Sequence, residues 1–79
     1  METKTPEQIQ KNVSAAFDSV TLINKLVLET ANDKKKSNVK RNVQHLELML
    51  TKEFFTEALT EGQTTEITDC IAVGNTYTV

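Results

Sequence analysis

Two apolar stripes that mirror each other about one turn-like dipeptide constrain this chain more than any other feature. Ile9, Val13, Ala16, Val20, Ile23 and Val27 recur at alternating steps of four and three, the a and d positions of a heptad pattern. Val39, Val43, Leu46, Leu50 and Phe54 follow one another further on at steps of three and four, again the signature of one helix face. Between the stripes stand Asn32 and Asp33, both good turn residues, with Asn tolerant of the left-handed backbone at a helix end. Folded back as an antiparallel hairpin, the chain would set Val27 opposite Val39, Ile23 opposite Val43, Val20 opposite Leu46 and Ala16 opposite Leu50. A single tip near residue 33 accounts for all four pairs.

Punctuation residues bound the helices. Met1 to Lys4 is polar and expected to fray. Thr5-Pro6-Glu7-Gln8 is a helix start: Thr5 can cap, Pro6 suits the first helical position, and Gln8 completes a capping box. A helix over 6–31 would be about 39 Å long at about 1.5 Å per residue. A compact domain of this size has a radius of gyration of only about 12 Å, so an elongated molecule is expected. The second helix begins between Asp33 and Asn38, with Ser37 a possible cap, and spans about 34–59. Thr60-Glu61-Gly62-Gln63 repeats the capping-box arrangement and opens a short third helix over about 61–73, with Ile67, Cys70, Ile71 and Val73 as its apolar positions. Gly74-Asn75 reads as its stop and 75–79 as an extended tail.

Composition agrees with an all-α reading. Two glycines and one proline are too few for a turn-rich β fold, and with four aromatic residues the core must be mostly aliphatic. No apolar run approaches the length of a membrane span, and no basic start followed by an apolar stretch marks a signal peptide. The lone Cys70 allows no internal disulfide and fits a reducing compartment, which makes the Asn12-Val13-Ser14 glycosylation triplet a chance match.

Each long helix carries a second apolar row on its far side: Ala15, Leu22 and Leu26 on the first, Leu48, Phe55 and Leu59 on the second. A short third helix covers one side of a hairpin, not both. Pairing of hairpins into an oligomeric helical bundle, a dimer or tetramer, is the simplest remedy, and these six residues are the candidate surface for self-association or for another protein.

Charge is unevenly distributed. Residues 32–41 carry a net +4 and residues 42–79 a net −5. Lys34, Lys35, Lys36, Lys40 and Arg41 form a candidate anion-binding patch for nucleic acid or another polyanion. The competing reading is a solvated hairpin tip whose lysines complement the negative end of the first helix dipole. No aromatic residue is interleaved for base stacking, and the acidic C-terminal half opposes a phosphate backbone.

No catalytic signature emerges. A zinc site needs several Cys or His ligands, and the chain offers one of each, so His45 reads as a boundary residue beside Leu46. Glu53 and Glu57 stand one helical step apart but belong to no Glu-x-x-His motif; they read as rim charges available to Lys52 or Lys11. Cys70 has apolar neighbours and no histidine near it, which suits a small core residue better than a nucleophile. There is no glycine-rich phosphate loop, and neither a metal nor a cofactor is implied.

The run from Val39 to Asn75, with VKRNVQHLELML, TKEFFTEALTEGQ and IAVGN, resembles small uncharacterised proteins encoded by tailed phages of marine bacteria. The resemblance covers roughly the C-terminal half and carries no functional motif. It implies a phage source and a host-cytoplasm setting, and no activity. The reading is therefore a non-enzymatic helical interaction protein, an adaptor or modulator. A small nucleic-acid-associated protein using the 34–41 patch is the alternative.

Overall fold

The computed structural model describes residues 5–79, and the expected fraying of Met1 to Lys4 lies outside them. The described chain forms four helices: α1 (Pro6–Leu26), α2 (Asp33–Leu50), α3 (Glu53–Ala58) and α4 (Glu61–Tyr77). No strand occurs among the described residues. α1 packs on α2, α4 lies against both, and α3 also touches both. The molecule measures 41 × 22 × 17 Å with a radius of gyration of 13.1 Å, a short rod rather than a sphere.

Both expected capping boxes form. Thr5 Oγ1 accepts from the Gln8 backbone N–H at 3.2 Å while the Gln8 side chain accepts from the Thr5 N–H at 3.0 Å. Thr60 and Gln63 repeat this at the start of α4, at 3.1 and 2.9 Å. At the start of α2 it is Asn32, not Ser37, that caps, its Oδ1 accepting from the Lys35 N–H at 2.8 Å. Each satisfies donors that would otherwise be orphaned in a first turn.

The stripes build one core. Ala16, Val20 and Ile23 of α1, Val39, Val43, Leu46 and Met49 of α2, Phe55 of α3, and Ile67 and Cys70 of α4 are buried together. Ser19 Oγ lies 3.1 Å from His45 Nδ1, each one residue before the expected Val20 and Leu46 positions. Lys35 Nζ reaches Glu29 Oε1 at 3.3 Å and the Thr30 carbonyl at 3.5 Å. Later turns of α2 thus lie beside earlier turns of α1.

Three boundaries differ from expectation. The first helix stops at Leu26 rather than near residue 31, because the chain needs 27–32 to cross to α2 and Asn32 is committed to an extended cap. The expected continuous helix over 34–59 breaks at Thr51-Lys52, where Lys52 is extended at φ −94°, ψ 116°. In an unbroken helix Phe55 would project away from the Val39–Leu46 stripe, at about 100° per residue. The break re-aims it into the core, where it is fully buried, while Phe54 is half-buried against the same core. Burying a phenylalanine contributes about 1.5–3 kcal/mol, enough to offset a few interrupted helical hydrogen bonds. The Thr51 and Lys52 N–H groups turn back to the Leu48 and Met49 carbonyls at 3.1 and 3.0 Å, and the Thr51 hydroxyl also donates to the Leu48 carbonyl at 2.6 Å. The final helix runs past Gly74-Asn75 to Tyr77, so the expected extended tail is helical through that residue.

Gly74 explains the last difference. No glycine among the described residues has positive φ, so Gly74 is not a left-handed stop. It is buried where α4 meets the hairpin: a Cβ built on it would lie 2.5 Å from Val43 Cγ2, 3.3 Å from Val39 Cγ1 and 3.6 Å from Ile23 Cγ2. The missing side chain lets the α4 backbone seat directly on the α1–α2 seam.

Candidate functional site

The six candidate surface residues divide. Phe55, expected on an outer row, is a correction: the helix break turns it inward and it is fully buried. Leu26 and Leu59 are half-buried against the core. Ala15, Leu22 and Leu48 stay exposed, with Leu22 at 39% and Leu48 at 56%.

The exposed three share one side of the hairpin. Ser19 and His45 mark the edge of the α1–α2 seam. Leu22 follows Ser19 by three residues and Ala15 precedes it by four; Leu48 follows His45 by three and Arg41 precedes it by four. On a helix such neighbours share a face. The α4 helix occupies the other side, with Gly74 over Val43, Val39 and Ile23, and the Cys70 thiol 3.8 Å from the Val20 carbonyl. One long side of the hairpin therefore presents Ala15, Leu22, Arg41 and Leu48, with none of the described helices over it.

A second apolar feature lies at the end where α1 and α4 terminate. Val27, Val73, Thr76 and Tyr77 line an open cleft of about 300 Å³. The Tyr77 hydroxyl donates to the Glu29 carbonyl at 3.3 Å and pins α4 to the chain leaving α1. Leu28 at 87% and Val73 at 44% are exposed here. Sequence periodicity missed this feature because a helix over 6–31 would have carried Leu28 as an ordinary surface position. The run Leu26-Val27-Leu28 before a turn was its only signal.

The basic residues fall inside the first three turns of α2 rather than in a loop after α1. Lys34 to Lys36 consequently face the positive end of the α2 dipole, which they do not complement; Asp33 offsets part of that charge. Lys35 is paired with Glu29. Lys34, Lys40 and Arg41 are exposed and Lys36 half-buried, without an ion pair among the described residues. At about 100° per residue, Lys34 and Arg41 share one row and Lys36 and Lys40 another, so the five do not form a single stripe.

His45 is half-buried and hydrogen-bonded to Ser19. Glu53 and Glu57 are exposed and pair with neither Lys52 nor Lys11. Cys70 is buried, and desolvation, reinforced by the Glu66 carboxylate, pushes its thiol above the usual 9.0, which favours the protonated form. Among the described residues no three of His, Cys, Asp and Glu gather as for a metal ion, and no helix is long and apolar enough to cross a membrane. No protein family, curated protein or solved structure matches the chain.

Proposed function

We propose that this protein is a small non-enzymatic helical adaptor or modulator that associates with itself and with another protein. The supporting observation is that one short chain carries two separate exposed apolar surfaces. Ala15, Leu22 and Leu48 lie along the hairpin side, and at one end Val73 lines the cleft and Leu28 is exposed. The long side suits a second copy as a dimer or tetramer; the end cleft suits a side chain or two of another protein. By the phage resemblance of residues 39–75, the setting proposed for this activity is a bacterial cytoplasm.

Light scattering after size exclusion tests the reading. The parent chain should elute as a dimer or tetramer, and Leu22→Glu with Leu48→Glu should lower the mass while helicity is kept. A monodisperse parent monomer at every concentration contradicts self-association.

The second reading, nucleic-acid association, draws on Lys34, Lys36, Lys40 and Arg41, which have no ion pair among the described residues. Its test is titration with duplex DNA and with RNA at several salt concentrations. Phosphate contacts release counterions, so real binding must weaken steeply as salt rises.

A further inference from the structure

The molecule is an electrostatic rod. The α1–α2 connection, the start of α2 and the end of α4 gather at one end, as the Lys35–Glu29 and Tyr77–Glu29 contacts show. That end holds Lys25, Lys34, Lys35 and Lys36 against Glu29 and Asp33, with Lys40 and Arg41 following toward the middle of α2. The start of α1, the end of α2, all of α3 and the start of α4 gather at the other, which holds Glu7, Glu53, Glu57 and Glu61 against Lys11 and Lys52. Opposite charge thus sits at the two ends of a body 41 Å long, and the uncovered side with Ala15, Leu22 and Leu48 runs between them.

We infer that the occupant of this side is a second copy of the chain lying antiparallel, the basic end of each protomer beside the acidic end of its partner. The inference rests on the self-association proposed above and adds its orientation. Two further observations support it. A two-fold pair brings the same patch of each copy together, so Leu22 and Leu48 cover one another's neighbourhood, the commonest way soluble chains associate. A long side of the molecule offers roughly 700–900 Å² from its extents, against about 800 Å² per partner in a stable interface. A parallel pair would bury the same apolar residues but set basic end against basic end, and like charges within about 8 Å are poorly screened at physiological salt. Charge therefore selects the orientation while the leucines supply the attraction.

The experiment uses the full chain with a spin label on Ser37→Cys, an exposed position near the basic end, and separately on Glu57→Cys at the acidic end. Sedimentation gives the dimer constant at low and moderate salt, and pulsed dipolar spectroscopy gives the label-to-label distance. The antiparallel dimer requires each singly labelled species to show a distance approaching the 41 Å length, and a mixture of the two species to show a new short one. Raised salt should weaken the dimer, and Lys34→Gln with Arg41→Gln should weaken it about tenfold and flatten the salt dependence. A dimer with a short Ser37–Ser37 distance overturns the orientation and leaves self-association standing. A monomer at all salt concentrations overturns self-association itself, and the orientation with it.

Discussion

Replacing Gly74 by alanine tests the packing argument at its tightest point. In an open helix interior the change stabilises by about 0.5–1 kcal/mol, because glycine loses more backbone freedom on folding. Here the new Cβ would lie 2.5 Å from Val43 Cγ2. Carbon pairs prefer about 3.5–4.0 Å, so roughly 1 Å must be found. Valine in a helix holds essentially one χ1 rotamer and cannot swing its methyl away. Val39 Cγ1 at 3.3 Å blocks a sideways shift, so α4 must lift and loosen Ile67 and Cys70 with it. Overpacking of this kind costs about 1–3 kcal/mol, leaving Gly74→Ala net destabilising by about 0.5–2 kcal/mol. Gly62 is the internal control: its added Cβ would meet only Thr60 Oγ1, at 4.0 Å, so Gly62→Ala should be neutral or mildly stabilising. Circular dichroism melts at matched concentration should separate the two variants by about 5–20 °C. A double-mutant cycle sharpens the test, since in a Val43→Ala background Gly74→Ala should lose its cost. The reasoning fails if Gly74→Ala melts as high as Gly62→Ala, or if its cost survives removal of the Val43 methyls.

Three other outcomes follow from named contacts. Phe55→Ala should cost about 3–5 kcal/mol, whereas Leu48→Ala should change monomer stability by no more than about 0.5 kcal/mol; urea unfolding of both would expose a mistaken helix break if the costs were alike. The raised pKa of Cys70 has a definite sign: above pH 9.0 the unfolded chain has lost the thiol proton that the folded chain retains, so stability must fall as pH rises through that value, and Cys70→Ala should remove this part of the slope between pH 8 and 10. Thr60→Ala should cost about 1 kcal/mol by removing an acceptor from the first turn of α4, with Thr60→Asp restoring most of it in the same melts.

Features that depend on near neighbours in the chain were legible without coordinates. Thr5 with Gln8 and Thr60 with Gln63 are complete local devices, three residues apart, and need no tertiary partner to cap a helix. The stripes from Ala16 to Ile23 and from Val39 to Leu46 are legible because helical periodicity marks which side of a segment leaves water. What only the tertiary structure decided is where those helices yield to packing. Nothing in Thr51-Lys52 announces a break; it arises because adjacent Phe54 and Phe55 point about 100° apart on one helix, and burying Phe55 requires α3 to turn. Gly74 looks like a stop in sequence, since glycine is common just past helix ends, yet its φ is not positive and its lack of a Cβ serves Val43, which lies 31 positions away. The first helix ends five residues early because the link to α2 must span a distance that periodicity does not encode. Local chemistry sets which residues cap and which side is apolar; distance between helices sets where each helix ends.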